Sequence, residues 1–297
     1  DELARRLLAP FDQAIEAADR VIVVAHRGLA LMPFHLLPWA GQPLLASRPV
    51  SYLPAMAMLS RDTIGTPQRI GADAVVIGDP VTATHPPLPG ARTEAAVIAA
   101  RLGARPALVG SAATVEAVRA AADGCSVLHL ASHAEAAPNA PDLARVLLRG
   151  GRDLTVGELM GLRLDGALVA MTGCQTGRGV PTVTGAVEGL TRAAFIAGAA
   201  NVIVSQWPVN DEAGCLIMNR CYAALAAGRP VATALAEAQL AVRRLDRCAR
   251  RAEYAALAES CAGGSPLAGN RDMVPCRRTG VPSDHPSYWA PFVHVGV

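Results

Sequence analysis

Two stretches decide how this chain is read: Ser126-Val127-Leu128-His129-Leu130-Ala131-Ser132-His133-Ala134, and Ala167-Leu168-Val169-Ala170-Met171-Thr172-Gly173-Cys174-Gln175-Thr176-Gly177. Each opens with an apolar run that is short and near-continuous, the mark of a strand buried on both faces. Each then runs into a residue that can do chemistry, a His after the first and a Cys after the second. Further runs of the same kind lie at Val21 to Ala25, Ala74 to Gly78, Ala107 to Val109, Val146 to Leu148, Asn201 to Ser205 and Pro291 to Val297. The second of these ends at the turn signal Gly78-Asp79-Pro80.

Helical spacing separates the runs. It covers Arg92 to Leu102 and Gly185 to Ala197, and then two helices over roughly 211–227 and 231–256. Ser111 is the expected N-cap of a helix reaching Ala122, and Thr155 with Glu158 makes a capping box for one ending near Leu162. Residues 261–286 are rich in Gly, Pro, Ser and Arg and read as a long loop. Alternating buried strands and helices predict an α/β fold, a mostly parallel sheet with helices on both sides. Such sheets carry their chemistry at the carboxyl ends of the strands.

If the two leading strands are neighbours, about 5 Å apart, His133 and Cys174 emerge on one edge. Their separation of 41 positions suits a single crossover containing a helix. A thiol and an imidazole on one cleft are the minimum equipment for nucleophilic acyl transfer. A free Cys is only about a few per cent thiolate near neutrality, so it needs a base, and the same imidazole can protonate a leaving amine. The small residues Gly173, Thr176 and Gly177 let a backbone approach closely. Backbone N–H groups near Ala134 and Cys174 are candidates to hold an oxyanion. On spacing alone a buried structural thiol and a structural imidazole remain open as the plainer reading.

Composition narrows the classes. Of 297 residues, 52% are hydrophobic and 18% charged, which excludes a disordered tail. The net charge of +2, from 27 basic and 25 acidic residues, argues against a nucleic-acid footprint. Aromatics at 4% argue against a base-stacking platform. Every basic residue other than His is Arg, so a Walker lysine is impossible. Ala193 to Trp207, the longest uncharged apolar stretch, is too short to span a bilayer. The seven cysteines are odd in number and form no CxxC pair, so neither a disulfide framework nor a structural zinc site is expected. A reducing, cytoplasmic setting follows as the default.

The residues also carry a family resemblance. Leu128 to Ala134 together with Met171 to Gly177 resembles the paired signature of CHAT domains, bacterial caspase-like cysteine peptidases related to separases and metacaspases. Ser51-Tyr52-Leu53-Pro54, Gly78-Asp79-Pro80, and Pro89-Gly90-Ala91 with Glu94 resemble the family's N-terminal half. Glu188-Gly189-Leu190, Ala197-Gly198-Ala199, Ser205-Gln206-Trp207-Pro208-Val209 with Asp211, and His285 to Phe292 resemble its C-terminal half. The resemblance implies a caspase-like α/β/α sandwich over residues 20–297. It also implies a His133/Cys174 dyad that cleaves peptide bonds through a thioester, with oxyanion contacts from the Ala134 and Cys174 N–H groups and no metal or organic cofactor. Family members often follow helical repeats in longer chains, and some serve defence or cell-death systems. Residues 1–19 are then expected to be the helical end of such a region, in a chain cut from a longer one, with a protein or peptide as substrate and a regulatory partner. One departure stands out: the family usually has Gly after the catalytic His, and this chain has Ala134.

Specificity is less legible. The metacaspases' acid two residues before the Cys is replaced by Thr172. The separase-like segment after the neighbouring strand runs from Ser205 through Trp207 to Asp211, and these three are the candidate substrate-binding residues. Asp211 suits an Arg or Lys at P1, or it merely caps the helix that begins there. Trp207 reads as cleft wall or core, and Glu135 as acidic-pocket material or a solvated acid. Arg243, Arg244, Arg247, Arg250 and Arg251 read as a solvated basic helix end. Two other readings stand beside the endopeptidase: a catalytically silent caspase-like scaffold, and a latent protease whose cleft a partner or flanking region opens, with 261–286 as lid or processing site.

Overall fold

A computed structural model of the protein describes residues 2–26, 29–30, 32–60, 68–82, 84–137, 140–172, 183–261 and 284–297. Helices α1 (Glu2–Leu8) and α2 (Asp12–Ala17) lead into β1 (Val21–Val23). A small hairpin of β2 (Pro38–Trp39) and β3 (Gln42–Pro43) is followed by α3 (Leu44–Ser47), β4 (Val50–Tyr52) and β5 (Val75–Pro80). Next come α4 (Pro89–Leu102), β6 (Leu108–Gly110), α5 (Val115–Ala122) and β7 (Val127–Ala131). Three short strands, β8 (Ala134–Ala137), β9 (Ala140–Val146) and β10 (Leu154–Thr155), precede α6 (Val156–Met160), β11 (Leu168–Met171), α7 (Val183–Ile196) and β12 (Asn201–Ser205). The chain ends with α8 (Asp211–Ala226), α9 (Val231–Arg243), α10 (Arg247–Cys261), α11 (Pro286–Trp289) and β13 (Phe292–Gly296).

Eight strands make the central sheet, in the order β1-β4-β13-β12-β11-β7-β5-β6. Every pairing is parallel except β12 with β13. The crossover through α4 moves toward the β6 edge, and those through α5 and α7 move the other way. Right-handed crossovers therefore place α4 on one face and α5 and α7 on the opposite one. Side-chain alternation agrees. His129 points from β7 to Tyr222 of α8 and Glu94 of α4, while its neighbours Leu128 and Leu130 turn to the other face and are also buried. The result is the expected α/β/α sandwich, with each fully buried Leu contributing about 1.5–3 kcal/mol. Among the described residues no helix is long and apolar enough to cross a membrane.

Several local expectations are corrected. β5 does not stop at Gly78: a bulge carries it through Pro80, with Asp79 at φ +45°. The cap of α5 is Thr114 rather than Ser111, because Thr114 is the residue whose Oγ1 accepts from Ala117 N–H (3.1 Å). Thr155 Oγ1 caps α6 through Glu158 N–H (3.1 Å), and the Glu158 carboxylate pairs with Arg119. The strand expected at Val146 to Leu148 is instead β9, ending at Val146 and flanked by β8 and β10 in a separate antiparallel sheet. Pro141, Asp142 and Arg145 hide it from an apolar-run search. The expected helix 231–256 is two helices, α9 and α10, with the break at 244–246.

Arg250 is not part of a solvated face. It is buried, stacks over the Tyr288 ring at 4.6 Å, and that burial lowers its pKa. Cys248 departs from the expectation of unpaired thiols, being disulfide-bonded. Cys125, Cys215 and Cys221 are free and buried, and burial pushes Cys125 up to about 11 and Cys221 to about 12. The loop expected at 261–286 lies almost wholly outside the described residues.

Candidate active site

The two decisive stretches do lie side by side. β7 and β11 pair in parallel with Leu130 opposite Met171, and Thr172 N–H donates to Leu130 O (3.1 Å). Both chains therefore leave the sheet at the same carboxyl edge. His133 lies two residues beyond β7 and is buried. Cys174 follows Thr172 by two positions and lies outside the described residues.

The loop between β5 and α4 holds the imidazole. His133 Nε2 is 3.1 Å from Pro86 O. A carbonyl can only accept, so Nε2 carries the proton and Nδ1 keeps its lone pair in the neutral ring. The loop is itself tied down by Asp79, which is buried at the end of β5. Its Oδ1 accepts from Leu88 N–H (2.6 Å), and its Oδ2 pairs with Arg92 (2.8 Å). Gly78 permits this: a Cβ there would come 2.5 Å from Ala95 Cβ and 2.6 Å from Ala91 O, so only Gly lets α4 lie so close to β5. The turn motif 78–80 thus reaches the His through the Asp79–Leu88 bond and the Pro86 carbonyl two residues before Leu88.

The segment after the imidazole is fixed equally firmly. Leu147 N–H donates to His133 O (2.8 Å), and Ser132 Oγ donates to Leu147 O (2.7 Å). In the β8–β9 register Ala134 faces Val146. The Leu147-to-His133 bond makes this a non-hydrogen-bonded pair, so Ala134 N–H points away from β9. β8 is the outer strand of its sheet, and that N–H faces the open edge. Ala134 is not among the described non-Gly residues with positive φ, so replacing the family's Gly costs no backbone strain.

Behind the edge lies a polar chain that composition did not reveal. Thr172 Oγ1 donates to Glu94 Oε1 (2.6 Å). His129 Nε2 stands 3.0 Å from the same oxygen, a close contact too bent for a full hydrogen bond, and His129 Nδ1 meets Tyr222 OH at 3.1 Å. Asp211 faces this chain from the first turn of α8. It is not the cap: Asn210 Oδ1 takes that role, accepting from Ala213 N–H (3.1 Å). The Asp211 carboxylate rests on Gly90, where a Cβ would come 2.1 Å from Oδ2. Burial first, then Glu94 and Glu212, raises its pKa. Among the described residues neither a hydrogen bond nor an ion pair reaches it.

The remaining candidates are less central. Ser205 is buried at the end of β12, opposite Phe292. Trp207 is half-buried and stacks on His35, with ring centroids 6.2 Å apart and planes 12° from parallel. Glu135 is paired rather than solvated, with Arg145 and with His85 Nε2 at 3.5 Å. Sequence reasoning missed the Pro86 carbonyl, which no side chain advertises, and the acidic role of Glu94. The signal for Glu94 was its position four residues after Gly90, on the same helix face.

The family model of the CHAT domain matches residues 1–297, and the chain belongs to the CHAT domain family. Tetratricopeptide repeat protein 28 of Mus musculus and its namesake of Homo sapiens are each 28% identical to it over 200 residues. Those alignments cover 53% of this chain and 8% of each relative, so the chain spans a small fraction of the curated proteins it matches. Among solved structures, the Arg-specific cysteine proteinase gingipain R aligns with 83% of this chain and 54% of its own, at 9% identity and a TM-score of 0.42.

Proposed function

We propose that the protein is a cysteine endopeptidase in which Cys174 is the nucleophile and His133 the base. The observation that carries this reading is the fixed imidazole: Nε2 is spent on Pro86 O, so Nδ1 is the nitrogen left to work at the edge that leads to Cys174. In acylation the Cys174 sulfur forms a C–S bond to the scissile carbonyl carbon. The C–N bond breaks, and His133 passes the thiol proton to the leaving amine. In deacylation His133 takes a proton from water, the new C–O bond replaces C–S, and the thiol is restored. The Ala134 N–H, turned outward from β8, and that of Cys174 stabilise the oxyanion.

The specificity reading is a basic P1 residue. Two acids, Glu94 and Asp211, share the ground behind Thr172, and Asp211 has no cation among the described residues. A substrate Arg or Lys supplies it. Trp207 and Ser205 complete the wall. In its full context we read the domain as acting beside helical repeats, as the name of the tetratricopeptide relatives suggests, with residues 1–19 as the junction and a partner as the gate.

The test is labelling by peptidyl chloromethyl ketones that differ at P1, mapped by mass. Cys125, Cys215 and Cys221 are buried and stay silent, so Cys261 is the internal control for non-selective alkylation. The expected result is labelling of Cys174 that His133→Ala abolishes. Labelling spread over Cys261 and Cys174 alike, and indifferent to His133, would support the silent scaffold.

A further inference from the structure

One carboxylate touches both strands that lead to His133 and Cys174. Glu94 is buried on α4, and its Oε1 accepts from Thr172 Oγ1–H (2.6 Å). The same oxygen stands 3.0 Å from His129 Nε2. Thr172 comes two positions before Cys174, and His129 four positions before His133. The register explains how one group reaches both. His129 of β7 lies opposite Ala170 of β11, and Thr172 follows Ala170 by two, so both side chains emerge on the same face of the sheet. Each partner has a second anchor. His129 Nδ1 meets Tyr222 OH of α8 at 3.1 Å, and Thr172 N–H donates to Leu130 O (3.1 Å). The helix that carries Glu94 is itself brought close by Gly78 of β5. From the other side α8 presents Gly214, where a Cβ would come 3.7 Å from Glu94 Oε2.

We propose that Glu94 is a positioning residue for the His133/Cys174 pair: through Oε1 it fixes the ends of β7 and β11 against each other, and so sets the spacing at which the two residues leave the sheet. This rests on reading His133 as the base and Cys174 as the nucleophile. The role needs an acceptor oxygen rather than a charge. A hydroxyl bonded to a carboxylate makes one of the stronger and shorter hydrogen bonds, and burial strengthens it further. Precision at this point matters, because a reacting group misplaced by about 1 Å costs about 100-fold in rate. With Oε1 engaged by Thr172, Glu94 leaves the basic P1 side chain to Asp211. The two acids then divide the work, one holding the strands and the other meeting the substrate.

The experiment uses the whole chain and two readouts: the rate at which a peptidyl chloromethyl ketone with Leu at P1 labels Cys174, and amide hydrogen exchange without any probe. Glu94→Met removes the acceptor, whereas Glu94→Gln removes the charge and keeps an oxygen. Thr172→Val and Thr172→Ser treat the donor in the same way. Labelling should slow by about 10- to 100-fold in Glu94→Met and in Thr172→Val. Glu94→Gln and Thr172→Ser should recover most of that loss. The double variant Glu94→Met/Thr172→Val should be no slower than the slower single, as for two halves of one contact. In exchange, the amides of 168–172 should lose protection in Glu94→Met while those of β12 keep theirs. Equal rates in Glu94→Met and wild type, or a double variant whose loss is the product of the singles, would overturn the proposal. So would a Gln variant as slow as Met, which would make the charge the active feature. If Glu94→Met fails to fold, the two Thr172 variants and Glu94→Gln still decide it. If wild-type Cys174 takes no label, the peptidase reading falls, and exchange alone judges Glu94: unchanged protection at 168–172 would overturn its hold on the strands.

Discussion

The sharpest consequence concerns Asp211. Its carboxylate is pressed onto Gly90, close to the buried Glu94, and no cation among the described residues balances the pair. Asp211→Asn keeps the shape and removes the charge. If the acid receives a P1 guanidinium, the loss is that of a charge-assisted hydrogen bond, about 1.5–3 kcal/mol. At about 1.4 kcal/mol per tenfold, that is a fall of about 10- to 150-fold in the labelling rate with Arg at P1. The rate with Leu at P1 should be unchanged. Stability should move the other way. An acid whose folded pKa is raised disfavours the native state as pH rises above its ordinary value of 3.8. The Asn variant should therefore unfold at higher denaturant than wild type at pH 7, and the difference should vanish in acid, where both forms are uncharged. Chloromethyl ketone kinetics and urea melts at two pH values measure both arms. An Arg-to-Leu ratio that does not change, or a variant less stable than wild type at pH 7, would refute the reasoning.

Gly78→Ala should destabilise the fold by about 1–3 kcal/mol, because its Cβ meets Ala95 and Ala91 at contact distances below any real one; a chemical melt reads this directly. His294 and His35 are buried, and burial disfavours their charged forms. His294 bonds Ser51 and Asn201, His35 bonds Tyr52 and Ala290 O, and burial lowers them to about 3 and about 4. The stability they confer is present above the ordinary value of 6.5 and is lost as pH falls from there toward 4. Unfolding free energy should drop by several kcal/mol over that window, and His294→Gln should flatten the slope.

Much of this fold is written in short apolar runs. β7, β11 and β12 match their readings to within a residue, because strands buried on both faces leave continuous apolar sequence. β8 and β9 were not legible, since a small three-stranded sheet needs no such run and β9 carries Pro141, Asp142 and Arg145. The division between α9 and α10 escaped for a different reason. Residues 244–246 contain no Gly or Pro to signal a break, and the device that restarts the helix is a cap: Asp246 Oδ1 accepts from Ala249 N–H (2.8 Å). The two strands that precede His133 and Cys174 were legible as apolar runs, and they do pair, but the groups that hold His133 were not legible. They are main-chain groups, the Pro86 carbonyl and the Leu147 N–H, which no side chain advertises.

The pair Asn210 and Asp211 shows why a sequence leaves a site undecided and a fold does not. Either residue type caps a helix well, and read alone the dipeptide makes Asp211 a natural cap. With Asn210 taking the cap, Asp211 is left at the first helical position, where the helix dipole favours an anion but does not neutralise it. α4 then brings Glu94 close enough for its charge to raise the Asp211 pKa further. Two carboxylates that a stable core would separate are held close to each other, beside Thr172 at the carboxyl end of β11. A charge arrangement that works against the native state is of the kind that functional sites carry, and it is the ground on which we propose Asp211 as the acceptor of a basic P1 side chain.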